Sequence, residues 1–289
     1  MKSNYKIANL NNLGREAAKK EMQESDFIIS KRGNFRDAIS YIGDEKFENI
    51  IVLGFDENIE EKLLERHESH SSTNVSIDIS LIDRKRLAEI FYSIARVASE
   101  HHYTINVVYT LAEYNPPSGI VHPNNNVKPV SHFFSGWSNR PGMPILSIVG
   151  LGYERDKAAG AIEFLESSKA LLFVPQSSEE RYFTDVCREN EVLMGSFGVE
   201  NQFTYNLESP IETLFRLDSL ISAYKIDYKV VLLPFGPKIF YALSLLACIP
   251  HPEVSAWFVS GEDEDSDSSQ DRKVFDLLGF SFDIESTQS

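Results

Sequence analysis

The sequence predicts an α/β fold of tandem Rossmann-like repeats, in which mostly parallel sheets are covered by helices on both faces. Apolar runs of strand length alternate with amphipathic segments of helix length, an order typical of βαβ units. The strand runs are apolar almost throughout, as in IIVLGF, ALLFV and VVLLPF. Such runs are typical of parallel strands that are buried on both sides.

The composition favours a globular protein whose partners are small molecules or proteins. The chain has 289 residues, of which 42% are hydrophobic, and a formal net charge of −15. A surface of this charge repels long nucleic acids, although one pocket can still hold a small anion. Cys187 and Cys248 lack metal-ligand spacing and are predicted to be buried thiols of a reducing compartment. We find no signal peptide and no apolar run of about 18 residues, so we expect a cytoplasmic protein without membrane contact.

Shifts in composition divide the sequence into four segments. These are a polar N-terminal segment (1–25), a first repeat (26–110), a Pro/Asn/Gly-rich connecting loop (111–144) and a second repeat (145–289) that includes an acidic loop (261–271). The N-terminal segment contains one short surface helix, REAAKKEMQE. The acidic loop lacks the spacing of a calcium loop, so it is expected to be solvated.

The elements of the first repeat follow from periodicity and helix signals. Strands are predicted at FIIS, NIIVLGF, VSIDISL and INVVYT, and short helices at FRDAISYI and IEEKLLERHE. The segment DRKRLAEIFYSIARVASEHH places Leu87, Ile90, Phe91 and Ile94 on one helical face. Asp83 precedes this face and is predicted to cap the helix.

The connecting loop interrupts the alternation. It combines prolines, glycines and asparagines without periodicity, and loops this long inside a compact protein are usually functional or linkers. Its aromatic residues Phe133, Phe134 and Trp137 are expected to pack against another surface.

Alternation then resumes in the second repeat. Strands are predicted at ILSIVGL, ALLFVP, FTYN, KVVLLPF and VSAWFVS, and helices at KAAGAIEFLES, EERYFTDVCREN, IETLFRLDSLISAY and PKIFYALSLLACI. The two repeats share a short turn: GNFRD at 33–37 corresponds to GYERD at 152–156, each between a strand and a helix. Two alternatives remain open for this similarity, a true duplication or the loose alignment that any two Rossmann-like halves give.

The candidate site lies at the C-terminal ends of the second repeat's strands, where open α/β sheets bind ligands. Gly150 and Gly152 resemble the start of a dinucleotide fingerprint, but Arg155 occupies the position of its third glycine. No dinucleotide cofactor is therefore expected. Arg155 is a candidate anion clamp, and its alternative roles are to pair with Glu154 or to cap a neighbouring element. The same alternatives apply to Arg36.

A second turn, Gly236-Pro237-Lys238, follows the strand VVLLPF and opens a helix. The helix dipole disfavours a cation at a helix N-terminus, so a bound anion would explain Lys238. The predicted ligand-binding residues are thus Gly150, Gly152, Arg155, Gly236 and Lys238. Glu154 is the candidate catalytic carboxylate, and we expect no metal because the histidines and cysteines lack ligand spacing.

The second half, residues 145–260, resembles the CARF domains that sense cyclic oligoadenylates in prokaryotic immunity. It is similar in element order and in the turn Gly236-Pro237-Lys238, which corresponds to the family's glycine–threonine–lysine motif. The duplicated arrangement also resembles SAVED sensor domains. The resemblance implies that both turns line a ligand pocket, usually across a dimer. Pro237 departs from the motif, the first half has VVYTLAEYN where the lysine turn belongs, and no effector nuclease motif is appended.

Three functions follow as hypotheses. The favoured one is a ligand-sensing module that binds a nucleotide-like anion, as part of a prokaryotic antiviral defence system. The second is an enzyme that hydrolyses a nucleotide or a glycosidic bond, with Glu154 as its carboxylate. The third is a non-catalytic subunit of a multiprotein complex that docks a protein partner through residues 111–144.

Overall fold

The computed structural model describes residues 5–31, 37–43, 50–52, 58–67, 73–117, 126–136, 142–260 and 273–287. The chain divides into two compact units, Met1–Glu113 with Asp267–Ser289, and Tyr114–Ser266. Each unit contains one six-stranded sheet with helices packed on it, so the predicted α/β class is confirmed. In the described part of the chain, every helix is too short or too polar to cross a membrane.

The elements run in chain order as follows. The strands and helices are β1 (Tyr5–Leu13), α1 (Arg15–Glu24), β2 (Phe27–Ser30), α2 (Ala38–Ile42), β3 (Ile50–Val52), α3 (Ile59–His67), β4 (Thr73–Asp78), α4 (Arg84–Val97), β5 (Tyr103–Ala112), β6 (Asn126–Pro129), β7 (Ile145–Gly150), α5 (Lys157–Phe164), β8 (Lys169–Gln176), α6 (Glu180–Glu189), α7 (Glu191–Gly195), β9 (Gln202–Asn206), α8 (Pro210–Tyr224), β10 (Lys229–Pro234), α9 (Lys238–Cys248), β11 (Ser255–Ser260) and β12 (Val274–Ser286).

The first sheet has the order β1-β12-β5-β4-β2-β3. Strands β5, β4, β2 and β3 are parallel, and β12 and β1 extend the sheet as antiparallel strands. The long helix α4 confirms its predicted cap, because the Asp83 carboxylate accepts a hydrogen bond of 2.7 Å from the Arg86 N–H. Its predicted apolar face is fully buried, including Leu87 and Phe91.

The two ends of the chain differ from the predicted segments. Residues 145–289 were predicted to form the second repeat, but β12 pairs with β5 of the first sheet, from Tyr103↔Ile284 to Ala112↔Val274. The segment 1–25 contains the predicted helix α1 and also a strand, β1, which pairs with β12. Most residues of β1 are exposed or half-buried, so its sequence is polar and lacks the apolar run by which other strands are predicted.

The second sheet has the order β6-β11-β10-β7-β8-β9, with five parallel strands and an antiparallel edge strand, β6. One face packs against α5 and α6, where Val149 shares a buried cluster with Ile162. On β8, Phe173 lies next to Leu172 of that cluster and packs on Phe240 of α9, at 5.5 Å between ring centroids. Since neighbouring residues of a strand point to opposite faces, helices cover both faces of this sheet.

The strand order differs between the two sheets. Counted along the chain, the parallel strands β2 to β5 lie in the order 2-1-3-4, whereas β7 to β11 lie in the order 3-2-1-4-5. Both are Rossmann-like, doubly wound arrangements. A true duplication would place the third strands alike, but β4 lies beside the first strand of its sheet and β9 beside the second strand of the other. The duplication stays a prediction that this topology does not support.

The predicted connecting loop contributes to the second sheet. Its strand β6 pairs with β11, and the carbonyl oxygen of Phe134 accepts a hydrogen bond of 3.0 Å from the Ala256 N–H. Phe134 is buried and Phe133 is 36% exposed, whereas Trp137 and the acidic loop 261–271 lie outside the described residues. The expectation that these aromatic residues pack is thus confirmed for Phe134.

Candidate functional site

The second sheet has its topological switch point between β7 and β10. Strand β7 pairs with β8 on one side and with β10 on the other, where Gly150 lies opposite Pro234. From this edge, the chain leaves β7 through the turn GLGYERD toward α5 and leaves β10 through the turn FGPK toward α9. When the connections after two neighbouring parallel strands lead to opposite faces of the sheet, they leave a crevice at the C-terminal ends of the strands. Rossmann-like proteins bind ligands in this crevice.

The two predicted glycine turns meet at this edge. A Cβ atom on Gly152 would lie 2.7 Å from both the nitrogen and the Cα atom of Gly236. A Cβ atom on Gly236 would overlap the carbonyl oxygen of Leu151, and its φ of +73° is itself unfavourable for other residues. The structure therefore requires glycine at both positions, and the backbones of the two turns are in contact.

Gly150 has a different environment. A Cβ atom on it would overlap the ring of Phe240. Close packing of α9 on β7 therefore explains this glycine. Among the three predicted glycines, Gly152 and Gly236 form the rim, and Gly150 lies beneath it in the core.

Helix α9 begins directly after the Gly236 turn. Its N-cap residue is Pro237, which has no side-chain acceptor for the first N–H groups, and Lys238 is its first residue. The helix has 11 residues and therefore presents the positive end of a full helix dipole at the rim. The predicted position of Lys238, at a helix N-terminus beside the crevice, is confirmed.

The charged residues of the GYERD turn lie on different sides of it. The Glu154 carboxylate folds back over Gly152, where its Oε2 lies 2.5 Å from the position of a Cβ atom on that glycine. Arg155 instead pairs with Glu189 of α6, at 3.2 Å between Nη2 and Oε2. The structure thus shows the pairing alternative for Arg155, with Glu189 in place of Glu154. Arg36, its counterpart in the first half, lies outside the described residues.

A buried asparagine that the sequence analysis missed fixes the GYERD turn. The Asn190 side-chain nitrogen donates hydrogen bonds of 2.8 Å to the carbonyl oxygens of both Gly152 and Val186. Asn190 directly follows α6, and an asparagine at the end of a predicted helix is the sequence feature that could have pointed to this residue. It orders the turn backbone next to the contact between Gly152 and Gly236.

Three half-buried tyrosines lie beside the same turn; we call Tyr114, Tyr153 and Tyr182 the tyrosine cluster. Tyr153 stacks on Tyr182 with 5.7 Å between ring centroids, and Tyr114 meets Tyr182 edge-on at 5.5 Å. The Tyr114 hydroxyl donates a hydrogen bond of 2.5 Å to Asp185, and this bond raises the pKa of Tyr114 above its ordinary value. The three residues are far apart in sequence, so no local pattern predicts the cluster.

The first sheet has its own switch point, between β2 and β4, and a carboxylate fills it. Asp78 ends β4 and is buried. Its oxygens accept hydrogen bonds from the Ala38 N–H (2.7 Å), the Ser80 N–H and hydroxyl (3.1 and 2.5 Å) and the Ser30 hydroxyl (3.2 Å). Burial raises the pKa of Asp78, and the bonds from Ser80 and Ala38 oppose this shift only partly. The carboxylate joins β2, β4 and the start of α2.

Neither a protein-family model nor a curated protein sequence matches the chain. Within the described ranges, His, Cys, Asp and Glu side chains form no group of three that could hold a metal ion. Both cysteines are free; Cys248 is buried and Cys187 half-buried, and burial raises the pKa of each thiol. The groups that the two turns bring to the second rim include backbone N–H groups, Lys238 and the Glu154 carboxylate.

Proposed function

We propose that the second unit is a ligand-sensing module that binds a nucleotide-like anion at the rim between β7 and β10. The observation that carries this proposal is the contact between Gly152 and Gly236, at a topological switch point and beside the N-terminus of α9. Such an edge is where Rossmann-like folds bind ligands, and the start of α9 offers backbone N–H donors there.

The start of α9 supplies positive charge at this rim. The chain carries a formal net charge of −15, so an anionic ligand needs a local source of positive potential. The N-terminus of α9 provides backbone donors, and Lys238 adds a full positive charge to it. A lysine at the first position of a helix opposes the helix dipole, and a phosphate group bound there would be attracted both by the lysine and by the positive end of the dipole.

The resemblance to CARF and SAVED domains favours a sensing role in prokaryotic antiviral defence. In that reading the ligand is an oligoadenylate or a related nucleotide, and a second copy of the chain completes the pocket. The departure at Pro237 removes the threonine hydroxyl of the family's motif, so backbone N–H groups and Lys238 would hold the phosphate.

The position of Glu154 favours a second candidate function, hydrolysis of a nucleotide or a glycosidic bond. Its carboxylate lies over Gly152, at the place where the ligand would bind. A carboxylate beside a bound ribose or phosphate can act as a general base. Product formation by the purified protein that is lost in Glu154→Gln would establish this activity, whereas binding without turnover would support sensing alone.

Calorimetric titration with nucleotides tests the binding proposal. The panel comprises AMP, ATP, cyclic AMP and cyclic oligoadenylates, with Lys238→Gln as the variant and Lys229→Gln as its control at the opposite end of β10. We expect Lys238→Gln to weaken binding by about tenfold or more, the typical effect of losing one charge-assisted contact. Lys229→Gln should leave the affinity unchanged. The absence of binding across the whole panel would contradict the proposal.

A further inference from the structure

The tyrosine cluster lies beside the proposed anion site and is joined to it through the chain. Tyr153 directly follows Gly152, whose carbonyl oxygen is held by Asn190. Tyr153 stacks on Tyr182 of α6, and the Arg181 guanidinium lies over the Tyr114 ring at 4.3 Å from its centroid. Tyr153 thus connects the rim glycine Gly152 to a group of aromatic rings and one guanidinium.

Each of the three arginines beside the tyrosine cluster already has a carboxylate partner. Three arginines pair with three carboxylates: Arg155 with Glu189 at 3.2 Å, Arg181 with Glu179 at 2.6 Å and Arg188 with Asp185 at 2.7 Å. An arginine that already has a carboxylate partner attracts a further anion only weakly. The cluster thus favours a flat uncharged group, and the neighbouring rim favours the anion.

We propose that the tyrosine cluster is a stacking site for a nucleobase, so that one nucleotide places its phosphate at the Gly152–Gly236 rim and its base against the rings of the cluster, of which Tyr182 is the central one. This inference rests on the proposed function, since it assigns a second part of the same ligand. Stacking on aromatic rings is available to every base because each has a π face, and it contributes substantially to nucleotide affinity. A nucleobase is uncharged at neutral pH, so it needs no counter-charge from these paired arginines.

The hydrogen bonds of the cluster prepare it for this role. Asp185 fixes Tyr114 through its hydroxyl and is itself held by Arg188, and side-chain exposure of Asp185 is only 6%. Tyr182 touches both other rings and is therefore the central member. Rings that are ordered before binding lose little conformational entropy when a base stacks on them.

The test separates the base from the phosphate by using three probes: AMP, ribose 5-phosphate and adenosine. Affinities are measured by calorimetry for the wild type, for Tyr182→Leu and Tyr182→Phe, and for Tyr228→Leu as control. Tyr228 is a half-buried tyrosine that precedes β10 and contacts Tyr224, away from the cluster. Circular dichroism checks that each variant is folded, and Tyr182→Phe retains the ring if the leucine variant does not fold.

We expect the wild type to bind AMP about tenfold more tightly than ribose 5-phosphate, the effect of one stacked base. Tyr182→Leu should remove this preference without changing the affinity for ribose 5-phosphate. Tyr182→Phe and Tyr228→Leu should preserve it.

The remaining outcomes distinguish the two proposals. Equal affinity for AMP and ribose 5-phosphate in the wild type would overturn the stacking site and leave the anion site standing. Binding of adenosine that Tyr182→Leu abolishes, without any binding of ribose 5-phosphate, would support the stacking site and overturn the anion site. Absence of binding by all three probes would overturn both.

Discussion

The two switch points of this protein are built in opposite ways. In the first sheet, the space between β2 and β4 is occupied by the buried Asp78, whose carboxylate accepts four hydrogen bonds from its own unit. In the second sheet, the corresponding edge between β7 and β10 carries Gly152 and Gly236, with α9 beginning beside them. One edge is filled by a carboxyl side chain of the protein, and the other has the backbone donors for the proposed anion.

This difference concerns how the donors at the two helix N-termini are used. The α2 N-terminus in the first unit is satisfied by a side chain of the protein, so its donor is already used. The α9 N-terminus begins after a proline that cannot cap it. We therefore assign a structural role to the first rim and a ligand to the second, and the following variants test this assignment.

The largest effect is expected for Gly236→Ala. The added methyl group overlaps the Leu151 carbonyl oxygen and the backbone has a φ of +73°, so steric clash and strain act together. We expect the free energy of unfolding to fall by about 3 kcal/mol or more. Gly142→Ala is the matched control, since its φ is +85° with no atom within 4 Å, and it should cost about 1 kcal/mol. Equal losses in urea denaturation would show that the two turns are not in contact.

A smaller effect is expected for Asp78→Asn in the first unit. The amide presents an NH₂ group to one of the two backbone donors, Ala38 N–H or Ser80 N–H, and leaves it unsatisfied. The free energy of unfolding should decrease by about 2 kcal/mol, measured by urea denaturation. Asp227→Asn, at an exposed aspartate, is the control and should be neutral. A neutral result for Asp78→Asn would contradict the structural role of this carboxylate.

The difference in stability between the wild type and Asp78→Asn should depend on pH. Burial raises the pKa of Asp78 in the folded protein above its ordinary value of 3.8, so the folded state binds the proton more tightly than the unfolded state. The stabilisation is complete below the unfolded pKa and is lost as the pH rises through the folded pKa. The wild type should therefore gain stability relative to Asp78→Asn as the pH is lowered through the raised pKa of Asp78 toward its unfolded value of 3.8. The opposite slope would mean that the hydrogen bonds outweigh burial.

The smallest effect is expected for Arg155→Ala. The arginine side chain is 56% exposed in its pair with Glu189, so solvent screens the interaction. Loss of less than about 1 kcal/mol of stability is expected in thermal denaturation. Nucleotide affinity should change far less than in Lys238→Gln. A loss of affinity as large as that of Lys238→Gln would instead restore Arg155 as the anion clamp.

Much of the second rim could be predicted from sequence because its determinants are local. Gly152 and Gly236 each follow an apolar strand, and parallel strands bring such turns to one edge. The position of Lys238 follows from the proline that precedes it. The partner of Arg155 could not be predicted, since Glu189 approaches only through the packing of α6 on β8.

The errors in the predicted architecture come from long-range pairing. Strand β12 follows the second repeat in sequence, but its partner β5 lies far away along the chain. The third parallel strand of each sheet also takes a different place, since β4 pairs with the first strand, β2, whereas β9 pairs with the second strand, β8. Neither choice is encoded in the residues of one element, because it depends on which apolar faces meet in the whole unit.

A crystal structure of the protein soaked with AMP tests the central assignment most directly. The account predicts electron density for the phosphate within about 3.2 Å of the backbone nitrogens at the start of α9, with Lys238 turned toward it. AMP bound at another surface, with this rim empty in a crystal whose packing leaves it accessible, would contradict the account.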